Sequence, residues 1–415
     1  MHIQEVLKNH LETKDVQKVK FDHMIYVRLF EGCNLSCEHC FIPSNPKKIE
    51  SIFYQNKGLT ETLIKEGNIK EGSTLFIQWH GGEPTLLGVE YLRNAIEEIE
   101  KDTRFKYIHG IQTNLINFHN NTDEWVDLYK KYFNGSIGVS WDADIRHVKR
   151  KELTNETNQE FESIFWKNIK LAQDNGLEIY MVVTATKKLF EKFKNPINFF
   201  IFMNENKIKK LNFERITKTG VARNNWDKLG LTNLEYSTYM SKFFKAYLLY
   251  KQNAIENNLE DLNISPFDGL LESVISLELK NKQELNREAN IWDILSFKNQ
   301  GYGCWSGSCD TTFHTIDSNG YKHGCTALTS EQDNKTISKD ISKKVIWICS
   351  TNMQQKDNIV NTRKERQLSC VGCEFLSICS SGCLSVEKFD ESKECSGAKL
   401  LFKTIQENVV KSLTL

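Results

Sequence analysis

Three cysteines fall within eight residues, Cys33-Asn34-Leu35-Ser36-Cys37-Glu38-His39-Cys40, directly after an apolar, strand-like run. Three thiolates in so tight a loop can hold three corners of an iron–sulfur cube, which leaves the fourth iron without a protein ligand. An open iron can bind and reduce another molecule. The same thiols could also form part of a zinc site. About forty residues on, Trp79-His80-Gly81-Gly82-Glu83-Pro84 follows a second apolar stretch. Paired glycines let a backbone approach a ligand without a Cβ in the way. Pro84 fixes φ and suits the first turn of a helix expected over 85–101. Taken alone, this motif is also an ordinary strand–turn–helix junction.

Short apolar runs then alternate with helix-period segments. Strands are expected at 24–30, 74–79, 107–113, 136–141, 177–184 and 211–217. Between them, Thr122 and Asp123 can cap a helix over 124–133, Gly176 closes an amphipathic run from Gln159, and a further helix covers 196–206. Such alternation over about two hundred residues argues for a parallel sheet with helices on its outer face. A doubly wound sheet shares this periodicity. A cysteine loop after the first strand and a glycine turn after the second favour a barrel, whose functional residues gather at strand C-terminal ends.

With 54 basic and 54 acidic residues, the chain has no global electrostatic footprint for nucleic acid. The first ten residues lack the apolar core of a secretory signal, and no stretch has the apolar length to span a bilayer. A cytoplasmic, reducing setting is therefore expected, in which twelve cysteines suggest metal rather than disulfides. A chain of 415 residues should hold two or three domains.

Together, CxxxCxxC and GGEP resemble the radical S-adenosylmethionine enzymes. The resemblance implies an α/β fold, a partial (β/α)6 TIM-like barrel. It also implies a [4Fe–4S] cluster on Cys33, Cys37 and Cys40, whose open iron chelates S-adenosylmethionine and cleaves it to a 5′-deoxyadenosyl radical. By the same resemblance His80, Gly81, Gly82 and Glu83 position that cofactor. Asn114, in Gln112-Thr113-Asn114, ends the third strand. Ser140, in Ser140-Trp141-Asp142, ends the fourth and would help hold the cofactor, although Ala143 stands where relatives carry glycine. Arg150 is the nearest match to a downstream arginine, and His39 would pack beside the adenine.

The last quarter of the chain adds Cys309, Gly320 and Cys325, then Cys370, Cys373, Cys379 and Cys383 in a CX2CX5CX3C run, and finally Cys395. This resembles the SPASM domain, here expected as a small α+β iron–sulfur unit. The resemblance assigns Cys304, Cys309, Cys325 and Cys383 to an inner auxiliary [4Fe–4S] cluster, and Cys370, Cys373, Cys379 and Cys395 to an outer one. That gives three clusters and a crossed ligation in the last domain. Two structural zinc sites are the alternative reading. An Asn-Gly turn suggests a hairpin over 315–322. Cys349, among apolar neighbours, reads as a core cysteine. Residues 226–300 match no motif and read as helical core or bridge packing, with aromatic and aliphatic positions at helical spacing over 234–258.

The expected division is an N-terminal extension (1–23), a barrel (24–225), a helical bridge (226–300), the SPASM domain (301–395) and a C-terminal helix (396–415). Members with full SPASM domains most often modify peptides or proteins. The expectation is therefore an oxidoreductase that cross-links side chains in a ribosomally made precursor peptide, with a reducing donor such as flavodoxin or ferredoxin. Sulfatase-maturing relatives carry an Asp after the cysteine matching Cys325, as their base; here Thr326 stands there. A formylglycine-forming sulfatase maturase and a non-catalytic metal-binding scaffold are the alternatives. The sequence names no catalytic base.

Overall fold

The structure is a computed structural model that describes residues 21–30, 32–42, 69–257, 261–284, 303–308, 312–316, 322–323, 325–327 and 354–413. Cys309, Gly320, Cys349 and the turn of the expected hairpin lie outside the described residues.

In chain order, β1 (His23–Phe30) leads into the cysteine loop, which contains the short β2 (Leu35–Cys37). Then follow β3 (Thr74–Gly81), α1 (Val89–Glu100), β4 (Lys106–Thr113), α2 (Thr122–Tyr132), β5 (Ser136–Ser140) and β6 (Arg146–Val148). Next come α3 (Asn155–Asp174), β7 (Glu178–Ala185), α4 (Lys187–Lys192), α5 (Ile197–Glu205) and β8 (Lys210–Arg215). Beyond them are α6 (Trp226–Leu229), α7 (Asn233–Glu256), β9 (Asn263–Ser265), α8 (Phe267–Glu284), β10 (Phe313–Ile316), β11 (Lys322–His323), α9 (Gln354–Leu368) and α10 (Lys399–Leu413).

The main sheet runs β11-β10-β1-β3-β4-β5-β7-β8-β9. Every neighbour pair is parallel except β10–β11, so eight parallel strands form a curled half-barrel with one antiparallel strand at its edge. The six central strands are those expected from the sequence. Of these, β3, β4, β5, β7 and β8 alternate as half-buried strands do, whereas β1 buries Val27 and Arg28 in succession. Leu75, Ile77 and Trp79 of β3, and Ile179, Met181 and Val183 of β7, go into the core under the helices. Their neighbours line the concave side. On α1, Val89, Leu92, Ala95, Ile96 and Ile99 recur with helical period and cover the sheet.

Several boundaries differ from expectation. The helix expected over 85–101 is split into a 3-10 turn, Pro84–Leu87, and α1. Gly88 separates them at φ +85°, a left-handed conformation that re-aims the chain. The start of α2 is not capped by Thr122 or Asp123; it follows Asn121 at φ 64°. By contrast α3 opens on a reciprocal capping box between Thr154 and Thr157, and the positive-φ Gly176 follows its end.

Within 226–300 the described part is helical, as expected, but it also adds β9 to the sheet edge beside β8. Here α7 and α8 pack Phe243, Tyr247 and Phe267 against Phe199, Phe200 and Phe213 in a fully buried aromatic layer. Burial of each such ring is worth about 1.5–3 kcal/mol. The expected hairpin is present as β10 and β11, with Thr315 opposite His323 and Ile316 opposite Lys322. The sequence did not reveal that β10 would extend the barrel sheet by pairing with β1. Among the described residues no helix is long and apolar enough to cross a membrane.

Candidate active site

The cysteine loop sits at the C-terminal end of β1 and is held from three sides. Gly82 and Glu83 donate their backbone N–H groups to Phe30 O and Gly32 O, at 2.7 and 2.9 Å. On the second side, β2 pairs antiparallel with β6, setting Cys37 opposite Arg146, and Glu38 N donates to Ile145 O. From beyond β8, Val221 N donates to Cys40 O at 2.7 Å. Close approach at the glycine turn explains Gly81: at φ +144°, a Cβ would lie 2.3 Å from Phe30 O.

Around the thiols, Leu35 N points at Cys33 Sγ (3.3 Å), Asn114 Nδ2 lies 3.7 Å from the same sulfur, and Arg146 Nη1 lies 3.9 Å from Cys37 Sγ. Burial pushes the Cys33 thiol up to about 12 and raises Cys37 and Cys40 as well. A bound metal reverses that penalty by taking the thiols as thiolates. The N–H groups and the guanidinium suit negative sulfur. Among the described residues no three His, Cys, Asp or Glu side chains converge closely enough for a single metal ion. A four-iron cube takes one thiolate per iron, so its ligands stand apart. The three thiols of this loop fit such a group.

Glu83 is almost fully buried and accepts four hydrogen bonds. They come from Thr85 N (3.0 Å), Thr85 Oγ1 (2.6 Å), Thr113 Oγ1 (2.7 Å) and Asn114 N (2.7 Å). Its carboxylate thus ties the glycine turn to the end of β4. Burial raises its pKa, and these donors offset part of that rise. His80 is surrounded by protein, near the rings of Tyr26 and Phe41. Its Nδ1 accepts from Gly81 N at 2.9 Å. Burial and the charge of Arg28 lower it to about 4, so it is a neutral imidazole. Ser140 Oγ accepts from Gln112 Nε2 at 2.7 Å, joining the ends of β4 and β5.

His39 and Arg150 both have carboxylate partners within the protein. His39 turns its Nε2 to Asp142 Oδ2 at 3.0 Å. The Arg150 side chain is 56% exposed and pairs with Glu160 at 2.8 Å. Arg146, four residues nearer to Ser140, lies beside the thiols. It grips the buried Asp142 through Nε and Nη2, both at 2.6 Å. Burial pushes the Asp142 carboxyl up, but His39, Arg146 and the N–H of Thr184 outweigh it and hold it well below the usual carboxylate range. Asp142 was visible in the Ser-x-Asp motif. Arg146 was hidden because β6 is three residues long and its pairing with β2 has no sequence signature.

The concave side of the sheet is polar near this loop. Tyr26 of β1 interacts across it with Glu214 of β8, Tyr180 of β7, Cys304 and Cys325. Glu214 accepts from Asn212 Nδ2 at 2.5 Å, and burial pushes its carboxyl up to about 7. It is open to solvent within the lumen although protein surrounds it on all sides. Neither Tyr26 nor Glu214 was singled out by the sequence.

In the C-terminal segment, the free thiols of Cys383 and Cys304 are hydrogen-bonded, and that contact together with Ser385 lowers the Cys383 thiol below its ordinary value. Cys379 interacts with Cys395, Cys373 and Cys370. A Cβ on Gly397 would stand 2.8 Å from Cys379 Sγ and 3.6 Å from Cys395 Sγ, so a glycine leaves room between these sulfurs.

Residues 27–193 match the model of the radical SAM superfamily. The chain is 23% identical over 362 residues to a cysteine-type anaerobic sulfatase-maturating enzyme of Clostridium novyi, covering 85% of each chain. Among solved structures, native anSMEcpe with bound AdoMet and Kp18Cys peptide superposes with a TM-score of 0.58 at 18% identity, over 94% of this chain and 98% of that one. Streptococcus suis SuiB bound to its precursor peptide SuiA superposes with a TM-score of 0.53 at 17% identity, over 91% and 76%. The fold is that of these proteins.

Proposed function

We propose that this radical SAM enzyme is a maturase that oxidatively modifies a peptide, by cross-linking side chains within a ribosomally made precursor. When bound, a [4Fe–4S] cluster with S-adenosylmethionine supplies a 5′-deoxyadenosyl radical that removes a hydrogen atom from the substrate. Cys33, Cys37 and Cys40 would hold that cluster. His80 and Ser140 line the space beside it, and Gly81 and Gly82 let the cofactor approach the backbone. Glu83 and Asp142 act from behind, fixing the loops that carry these groups. Arg28 and Arg146 set the charge around the thiols. The crossed pairing of Cys304 with Cys383, and of Cys379 with Cys370, Cys373 and Cys395, supports two auxiliary clusters on those thiols with Cys325 and Cys309. A reducing electron donor such as flavodoxin or ferredoxin would serve as reductant.

The observation that carries the peptide reading is the polar group on the concave side of the sheet, where Tyr26 interacts with Tyr180 and solvent-open Glu214 of the barrel and with Cys304 and Cys325 of the C-terminal segment. Thr326 beside Cys325 favours cross-linking over formylglycine formation, because Thr offers no carboxylate base. The likeness to the Clostridium novyi enzyme favours the second reading, a sulfatase maturase. Anaerobic incubation with a sulfatase-motif peptide carrying Cys or Ser separates the two. We expect no hydrazide-reactive aldehyde; its formation would overturn the cross-linking reading in favour of the sulfatase one.

A further inference from the structure

Arg215 closes β8, where the barrel meets the C-terminal cysteines. Its Nη1 donates to Ser396 O at 3.0 Å and its Nη2 to Asn233 Oδ1 at 2.5 Å, while its guanidinium lies 4.4 Å over the ring of Tyr236. Asn233 is itself fixed: its amide donates to Glu387 O and Glu394 O, and its backbone N–H to Asp390 Oδ2. The cation is therefore held on three sides. It interacts with both Cys383 and Cys395, which the proposed ligation places in different clusters. Tyr236, under the guanidinium, also interacts with Cys304 and Cys383. Burial works against the charge, yet an arginine stays protonated in proteins. A cation kept at that cost, between two sets of sulfurs, acts on both.

We propose that Arg215 sets the reduction potentials of both auxiliary clusters, its fixed positive charge stabilising the reduced form of each. The inference rests on the reading that these thiols hold iron–sulfur clusters. Reduction adds one electron to a cluster and makes or breaks no bond, so each cluster becomes one charge more negative. A nearby cation in a poorly screened site favours that state, and hydrogen bonding and net charge are among the levers on cluster potentials. Arg215 is thus a positioning residue for charge, without contact to the reacting atoms.

The test uses the full chain with Cys33, Cys37 and Cys40 changed to Ala, so that only the C-terminal clusters contribute. Dye-mediated redox titration followed by electron paramagnetic resonance is run on R215Q and R215K after anaerobic reconstitution. R215Q should titrate at more negative potential for both clusters, and R215K, which keeps the charge, should stay with the parent. R215Q titrating with the parent, or both variants shifting alike, would overturn the proposal. If R215Q does not load iron, Tyr236→Leu leaves the charge but lets water reach it, and both potentials should fall; unchanged potentials there would also overturn it. Zinc in place of iron in the parent defeats the cluster reading itself, whereas loaded iron with unmoved potentials defeats only the role of Arg215.

Discussion

Replacing Glu83 separates a structural role from a ligand-binding one. Its Oε1 accepts from Thr85 N, Thr85 Oγ1 and Thr113 Oγ1, and its Oε2 accepts from Asn114 N. In Glu83→Gln the amide oxygen can keep the first three donors. The amide NH2 then faces the N–H of Asn114, donor against donor, in a site that is 1% exposed. Leaving that buried N–H unpaired, and losing a charge-assisted bond, costs about 2–3 kcal/mol. Glu83→Ala leaves the N–H groups of both Thr85 and Asn114 without an acceptor. The relief of burying no carboxylate offsets part of that loss, which leaves about 4 kcal/mol. Chemical denaturation of the metal-free chain under anaerobic conditions should show midpoints falling in the order wild type, Gln, Ala, at unchanged slope. Wild-type stability in Glu83→Gln with S-adenosylmethionine binding abolished would refute the reasoning, because Glu83 would then serve the ligand and not the loop.

Gly81→Ala places a Cβ against Phe30 O at φ +144°, and should cost about 2–4 kcal/mol in the same denaturation experiment; a neutral substitution contradicts the close approach. Arg146→Ala strips the buried Asp142 of two bonds and should destabilise by about 3 kcal/mol. Arg150→Ala, at a mostly exposed pair, should stay within about 0.5 kcal/mol and leave deoxyadenosine formation unchanged; the reverse ranking would place Arg150 in the site. Glu214, raised from 4.5 to about 7, binds its proton more tightly in the folded chain than in the unfolded one, so stability is lost as pH rises through that window. Glu214→Gln should therefore gain stability over wild type between pH 5 and pH 8. Solvent in the lumen screens this to about 1 kcal/mol, and a pH-independent difference would contradict it.

The six central strands were legible because each is a short apolar run with period two, bounded by turn residues or caps, and that pattern survives into the fold at β3 and β7. The edge strand β9 was not, nor was the pairing that carries β10 of the expected hairpin onto the barrel sheet. Asn263–Ser265 is three residues long, and Phe313–Ile316 pairs with β1 from almost three hundred residues away, a register that no local pattern records. At the site, cysteine spacing and the glycine pair identified the loop that holds the thiols. What surrounds them depends on tertiary contact. Glu83 carried a motif yet faces four donors of the protein itself. His39 pairs with Asp142, and the β2–β6 pairing brings Arg146 to Cys37. Glu214 and Arg215, adjacent on β8, gain their surroundings only when the sheet curls and the C-terminal cysteines dock against it.

The most direct test of the account is the cofactor content and chemistry of anaerobically purified, iron–sulfide-reconstituted protein. Iron and sulfide are counted, dithionite and S-adenosylmethionine are added, and 5′-deoxyadenosine is quantified in wild type and Cys37→Ala. About twelve irons per chain, with cleavage lost in the variant, is the predicted result. Zinc in place of iron, or no deoxyadenosine from either protein, would contradict it.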